Sequence, residues 1–312
     1  MEKIKESPSV SFVTVTFTGD KWPMLLQAHS IEKFVKEPTT HYVIIEDQSG
    51  VKTRILEWLC LLQPIYKKHR LVLLDQSSAP ELFLEWDKGI VGGWIQQQYI
   101  KLKMHELINT DYYLTLDSKN FFIRPTSLSE FYGKEGCDTI MPVDDVPQHP
   151  SLYYWVPWME LIEKHTKKSR PSEFWFAGTP FSLKTEIVKD FFNDYDIDSM
   201  FTEAMDTTHY NSDIDKHVRI SEYILYAYFT DAVRDVDIQW CCGYGSGMSE
   251  ELESLFNDRM NNKSKPVFTL HRDRLTAVQH RKEVIDYLVF CGLEPSYVIP
   301  AVMLDRKSQG HG

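Results

Sequence analysis

Residues 10–17 read VSFVTVTF, a run rich in β-branched and aromatic side chains. A run of this kind has both faces buried, the habit of a strand inside a parallel sheet. Gly19-Asp20 breaks it, Pro23 stands where a first helical turn begins, and Met24 to Val35 follow as a helix. A second strand runs from His41 to Glu46 (HYVIIE) and ends in Asp47-Gln48-Ser49-Gly50. A helix over 52–62 and a short strand over 71–74 continue the alternation. Strand and helix in strict turn predict an α/β fold, a mostly parallel sheet flanked by helices.

The next stretch adds a candidate site. Residues 94–108 carry helical periodicity, with Ile95, Tyr99 and Leu102 on one face and a polar stripe through Gln97, Lys101 and His105. The strand Tyr112–Leu116 follows and runs into Asp117-Ser118-Lys119-Asn120, before Phe121–Ile123 resumes an extended run and Arg124-Pro125 ends it. A polar tetrad thus interrupts two apolar runs at the carboxyl end of a strand, the edge of an open α/β sheet at which ligands bind. Further on, the pattern predicts a strand over 137–142, helices over 186–192, 221–233 and 275–290, and a strand over 267–270. Residues 144–182 are irregular and aromatic. The expected organisation is one domain over 1–305, with a nucleotide-binding half to about 142, an elaborated acceptor half from about 143, and a tail over 306–312.

Charge and cysteine usage narrow the function. Thirty-four Lys and Arg against 45 Asp and Glu leave a net charge of −11, the wrong sign for a general nucleic-acid binder, which must displace counterions from phosphates. The 5 cysteines are odd in number and show no C-x-x-C spacing, so a reducing cytoplasm is expected. The N-terminal MEKIKESPSV carries no apolar h-region, and no apolar stretch approaches a membrane span. An aromatic content of 13% suits a large core or a site that stacks flat faces on sugars or bases.

The run Gly93-Trp94-Ile95-Gln96-Gln97-Gln98-Tyr99-Ile100-Lys101-Leu102, followed by Asp111-Tyr112-Tyr113-Leu114-Thr115-Leu116-Asp117, resembles a bacterial family of GT-A-like glycosyltransferases long catalogued as a domain of unknown function. That family reads G-W-W-R-Q-Q-x-x-K-L, then Y-L-x-L-D-x-D, then Arg-Pro. Trp94, Gln97, Gln98, Lys101, Leu102, Asp117, Arg124 and Pro125 match, while Ile95 and Gln96 depart from the Trp-Arg pair. Asp20, the Asp47 turn and Ser221-Glu222-Tyr223 also resemble the family. The resemblance implies a GT-A-like, Rossmann-related fold that moves a sugar from a nucleotide-diphosphate donor to a glycan or other hydroxyl acceptor.

Such a reaction releases a diphosphate whose charge the site must offset. GT-A proteins use a D-x-D turn holding Mn²⁺ or Mg²⁺. Here the turn reads Asp117-Ser118-Lys119, with an ammonium in place of the second carboxylate. Three arrangements remain open: Asp117 and His271 hold a metal with Lys119 turned away, Lys119 offsets the phosphate charge itself, or the site is a degenerate, non-catalytic binder of nucleotide sugar or glycan. Repulsion between a lysine and a divalent cation favours weak or absent metal dependence. Lys101 and Gln97 are expected to reach the donor, and Asp20 and Asp47, at strand ends, to accept from its base or ribose. Glu222, or Asp144 or Asp145, is the candidate base for the acceptor hydroxyl. Asp145, Trp155 and Trp175 are expected on the acceptor side, where rings stack on sugar C–H faces.

Overall fold

The structure, a computed structural model, describes residues 8–46, 55–85, 93–131, 139–142, 155–171, 173–176, 179–210, 221–230, 241–243, 254–255, 257–261, 265–270, 275 and 278–303. The main sheet has five strands in the order β3-β2-β1-β4-β8. These are β1 (Val10–Thr16), β2 (Thr40–Ile45), β3 (Arg70–Asp75), β4 (Tyr112–Asp117) and β8 (Phe181–Lys184). The expected buried strand, rich in β-branched and aromatic residues, takes the central place, and every residue of β1 is buried. β2 lies parallel to β1 with Phe12 opposite His41, and β3 parallel to β2 with Thr40 opposite Arg70. Parallel neighbours need crossovers, supplied here by α1 (Lys21–Phe34) and α2 (Ile55–Leu62). β8 closes the other edge antiparallel to β4, with Tyr112 opposite Lys184. The α/β reading of the sequence holds, and the sheet is mostly parallel.

The residues group into two units that interleave along the chain. One consists of Met1–Ser11, Gln76–Thr115 and Tyr132–Ile238, the other of Phe12–Asp75, Leu116–Phe131 and Gln239–Gly312. In the second unit α1 packs on β5 (Asn120–Phe122) and on the last helix, which with its predecessor forms α8 (Val278–Phe290) and α9 (Pro295–Met303). β5 pairs antiparallel with β10 (Val267–Thr269), which pairs in parallel with β9 (Cys241–Gly243). Phe12 stacks on Phe122 with centroids 5.5 Å apart at the heart of this unit. α1 is buried nearly all round, including Gln27 and Ser30.

The first unit holds α3 (Gly93–Lys103), α4 (Val156–Thr166), α5 (Thr185–Asp194), α6 (Ile197–Tyr210), α7 (Glu222–Ala227) and a ribbon of β6 (Thr139–Pro142) with β7 (Glu173–Phe176). Its core is aromatic. Trp158 and Tyr99 both meet Phe201 edge-on, each at 5.3 Å, and Phe181 meets Tyr223 at 4.4 Å. Such pairs add about 0.5–1.5 kcal/mol each beyond the area they bury.

Several boundaries differ from expectation. The helix expected over 94–108 is α-helical to Lys103 and tightens into a 3-10 turn over Met104–Glu106. The irregular stretch 144–182 contains α4, β7 and the start of β8. Helices α6 and α9 were not anticipated. The helix expected over 221–233 is described as α7 alone, residues 231–233 lying outside the described residues.

Candidate functional site

In the unit that contains α1, the tetrad 117–120 forms the turn between β4 and β5. Asn120 shapes it from inside: its Oδ1 accepts from the Asp117 backbone N–H at 2.7 Å, and its Nδ2 donates to Thr269 Oγ1 at 2.9 Å. The Leu270 N–H donates to the Lys119 carbonyl at 2.9 Å, tying the turn to the end of β10. Ser118 Oγ donates to Asp20 Oδ2 at 2.6 Å, and Asp20 is buried. Asp20 stands at the N-cap position of α1, yet its side chain makes no capping bond to that helix. Its carboxylate is turned to the middle residue of the turn, so the ends of β1 and β4 are joined by a charge-assisted hydrogen bond. The sequence expectation for Asp20 was contact with a base or ribose; the structure gives its carboxylate to Ser118.

Two charged groups of the turn remain partly open. Lys119 Nζ lies 3.3 Å from Asp117 Oδ2, with side chains 34% and 28% exposed. The ammonium therefore stands beside the carboxylate of the Asp117-Ser118-Lys119 turn, not turned away from it. A divalent cation on Asp117 would share that carboxylate with a fixed positive charge a few ångströms off, which opposes its binding. Among the described residues no group of three or more His, Cys, Asp or Glu side chains gathers as a metal site. His271, the expected second ligand, lies outside the described residues, as do Asp47, Asp144 and Asp145. With a lysine on its single described carboxylate, the turn does not fit a divalent cation.

A second polar cluster occupies the other unit. On α3, residues 94, 98 and 101 fall at i, i+4 and i+7 and share a face. Lys101 Nζ lies 3.2 Å from Glu222 Oε1, with side chains 3% and 0% exposed. Gln98 is buried beside them, and donor–acceptor chemistry sets its amide orientation: with the nitrogen towards the Glu222 carboxylate it donates there, and its oxygen accepts from Trp94 Nε1 at 3.3 Å. Glu222 opens α7, whose N-cap is Ser221: its Oγ accepts from the Ile224 N–H at 3.4 Å. Trp158 Nε1 donates to the Ser221 carbonyl at 3.0 Å and anchors the same helix start. The Tyr113 hydroxyl is pushed well above its ordinary range by burial, then by Tyr226 and the Glu222 charge.

This arrangement bears on two expectations. A general base must touch the hydroxyl it deprotonates, whereas Glu222 has no exposed surface and faces a lysine. Lys101 was expected to reach a diphosphate, and its head instead meets Glu222 inside the protein. Together they hold α3 to the first turn of α7. The face of α3 at this cluster carries Trp94, Gln98 and Lys101, and Gln97 is half-buried. Of the expected acceptor residues, Trp155 is half-buried at the start of α4, and the side chains of Trp175 and Asp145 lie outside the described residues. Trp158, from the same aromatic cluster, is core.

The chain belongs to the family of unknown function DUF6492, whose model matches residues 20–257. No curated protein matches it. Among solved structures it is similar to the bifunctional glycosyltransferase WbbM, at 13% identity and TM-score 0.47, over 86% of this chain and 46% of that one. The chain thus spans about half of WbbM. It is similar to the galactosyltransferase LgtC, solved with donor and acceptor sugar analogues, at 14% identity and TM-score 0.47, over 90% and 95% of the two chains. The glycosyltransferase GlyE of Streptococcus pneumoniae matches at 10% identity and TM-score 0.41, over 96% and 63%. Likenesses this faint carry no argument about chemistry.

Proposed function

We propose that this DUF6492 chain is a glycosyltransferase that moves a sugar from a nucleotide-diphosphate donor to a hydroxyl of a glycan or glycoconjugate. The observation that carries the reading is the Asp117-Ser118-Lys119 turn at the carboxyl end of β4, where the Lys119 ammonium stands 3.3 Å from Asp117 and both side chains are part-exposed. In the reaction the sugar's anomeric C–O bond breaks towards the diphosphate, and negative charge grows on the leaving oxygen. A lysine held at the sheet edge offsets that charge as a compact point charge. Asp117 orients the ammonium, and Asp20 fixes the turn through Ser118. Glu222 and Lys101 serve the scaffold, binding α3 to α7, and the base for the acceptor is left to residues such as Asp144 or Asp145. No helix among the described residues is long and apolar enough to cross a membrane.

The test is a thermal-shift screen with UDP-, GDP- and CMP-sugars, each with Mn²⁺ and with EDTA. A saturable rise in melting temperature in EDTA, with slow hydrolysis of the bound donor, supports the transferase. No shift with any donor refutes it. The second reading, a non-catalytic binder of nucleotide sugar, keeps Lys119 beside Asp117 as the phosphate partner and lacks the transfer step. Saturable binding with no hydrolysis and no transfer selects it.

A further inference from the structure

Behind the turn, inside a single unit, runs a buried chain of side-chain hydrogen bonds. Gln27 of α1 donates from Nε2 to the Asp117 carbonyl at 2.7 Å and to the Asn120 carbonyl at 3.0 Å. Those are the two ends of the tetrad that presents Ser118 and Lys119. Thr14 Oγ1 of β1 lies 2.9 Å from Gln27 Oε1 and 2.9 Å from His41 Nε2 of β2. His41 Nδ1 lies 2.5 Å from the Tyr66 hydroxyl. Gln27, Thr14 and His41 have no exposed surface, and Tyr66 is buried.

The polarity of this chain has one solution. Carbonyl oxygens only accept, so both Gln27 N–H groups point at the turn and its Oε1 faces Thr14. Thr14 must give its single hydroxyl proton to that oxygen. It then has only lone pairs for His41, so Nε2 of the imidazole carries the hydrogen and donates. Burial holds His41 neutral, its pKa pushed down to about 3, with His69 adding to the effect. A neutral ring protonated at Nε2 has Nδ1 as an acceptor, which takes the Tyr66 proton. Every donor points the same way, from Tyr66 towards the turn.

We infer that Gln27 is a positioning residue for the donor-binding turn, held in its single working orientation by Thr14, His41 and Tyr66. The inference rests on the transferase reading for what the turn binds, but not for the ordering of the turn itself. Gln27 sets the carbonyls at the two ends of the tetrad, Asn120 sets the Asp117 amide at its start, and the position of the Lys119 backbone follows. Displacement of a binding group by about 1 Å is enough to cost on the order of 100-fold in a positioned reaction.

Two substitution pairs test it. Thr14→Val keeps the shape and removes the hydroxyl, while Thr14→Ser keeps both hydrogen-bonding roles; Gln27→Met keeps length and removes the amide, and Tyr66→Phe removes the distal donor. On the full chain, amide hydrogen exchange over 117–120 and calorimetric affinity for UDP, GDP and CMP are measured beside the melting temperature. Gln27→Met is expected to speed exchange at Asp117 at least tenfold and weaken nucleotide binding by about tenfold or more. Thr14→Val should follow in part, and Thr14→Ser should stay within about twofold of wild type. A purely structural role lowers the melting temperature but leaves the affinity and turn exchange of the folded protein unchanged, and that result overturns the inference. If Gln27→Met does not fold, Thr14→Val and Tyr66→Phe decide by the same readouts. Wild-type protein that binds no nucleotide refutes the transferase reading, and the exchange data still decide the role of Gln27.

Discussion

Replacing Lys101 by methionine tests the scaffold where its energetics are steepest. The two heads lie 3.2 Å apart with side chains 3% and 0% exposed, so solvent screens the pair very little. Lys101→Met keeps the stem and deletes the charge, leaving the Glu222 carboxylate buried without its counter-ion. Breaking a buried pair in this way costs about 3–5 kcal/mol. At roughly 2–4 °C per kcal/mol for a chain of this order, the melting temperature should fall by roughly 10 °C. Glu222→Leu alone should cost a similar amount, because it strands the ammonium. The double variant Lys101→Met/Glu222→Leu removes both desolvation penalties and should return to within about 1 kcal/mol of wild type. Urea unfolding of all four proteins closes the double-mutant cycle, with an expected coupling of several kcal/mol. The deficit of Lys101→Met should also shrink at pH 5 relative to pH 8, since a stranded buried carboxyl relieves itself by taking a proton. Single variants that each lose under about 1 kcal/mol and add without coupling would refute the reasoning.

Ser118→Ala takes a hydrogen bond from the buried Asp20 carboxylate, 2.6 Å away; bonds to charged groups are worth about 1.5–3 kcal/mol, and urea unfolding should show a loss of that order together with weaker nucleotide binding by calorimetry. His41 gives an acid signature: its folded pKa of about 3 lies below the unfolded 6.5, so its contribution is intact above pH 6.5 and is lost as pH falls towards 3, where only the unfolded chain takes up the proton. That shift is worth about 5 kcal/mol at the low end, and replacing His41 by glutamine should flatten the pH dependence of stability between 6.5 and 3 in equilibrium unfolding. Phe201→Ala, which empties the place where Trp158 and Tyr99 converge, should cost about 3–5 kcal/mol by the same assay.

The parallel half of the sheet was legible because its signals are local. VSFVTVTF, HYVIIE and YYLTL are short buried runs punctuated by turn residues, and each became a strand. Helix α4 hid behind its own content: Trp155, Pro157 and Trp158 look like a loop of aromatics, though Pro157 near the N-terminus with Trp158, Leu161 and Ile162 behind it is a helix signature. Helix α6 was equally readable, since Ile197, Met200, Phe201, Ala204 and Met205 recur at helical spacing and are all buried. At the candidate site, the neighbourhood of Asp117 and Lys119 could be read from a two-residue spacing. The Lys101–Glu222 pair could not, because each residue taken alone resembles a solvated charge and the fold brings them together across 121 positions. Gln27 carried a weaker signal, a lone amide within Met24-Leu25-Leu26-Gln27-Ala28, an otherwise apolar stretch of α1. A buried polar side chain in such a helix must find partners, and which partners is a tertiary fact.

The account turns on whether the lysine of the altered turn takes the diphosphate itself. Calorimetric titration of UDP, GDP and CMP into wild-type protein and Lys119→Ala, both in EDTA, tests this most directly. Binding of one nucleoside diphosphate by the wild type in EDTA, weakened at least tenfold in Lys119→Ala, is the predicted result. Binding that requires Mn²⁺ and is indifferent to Lys119→Ala contradicts it.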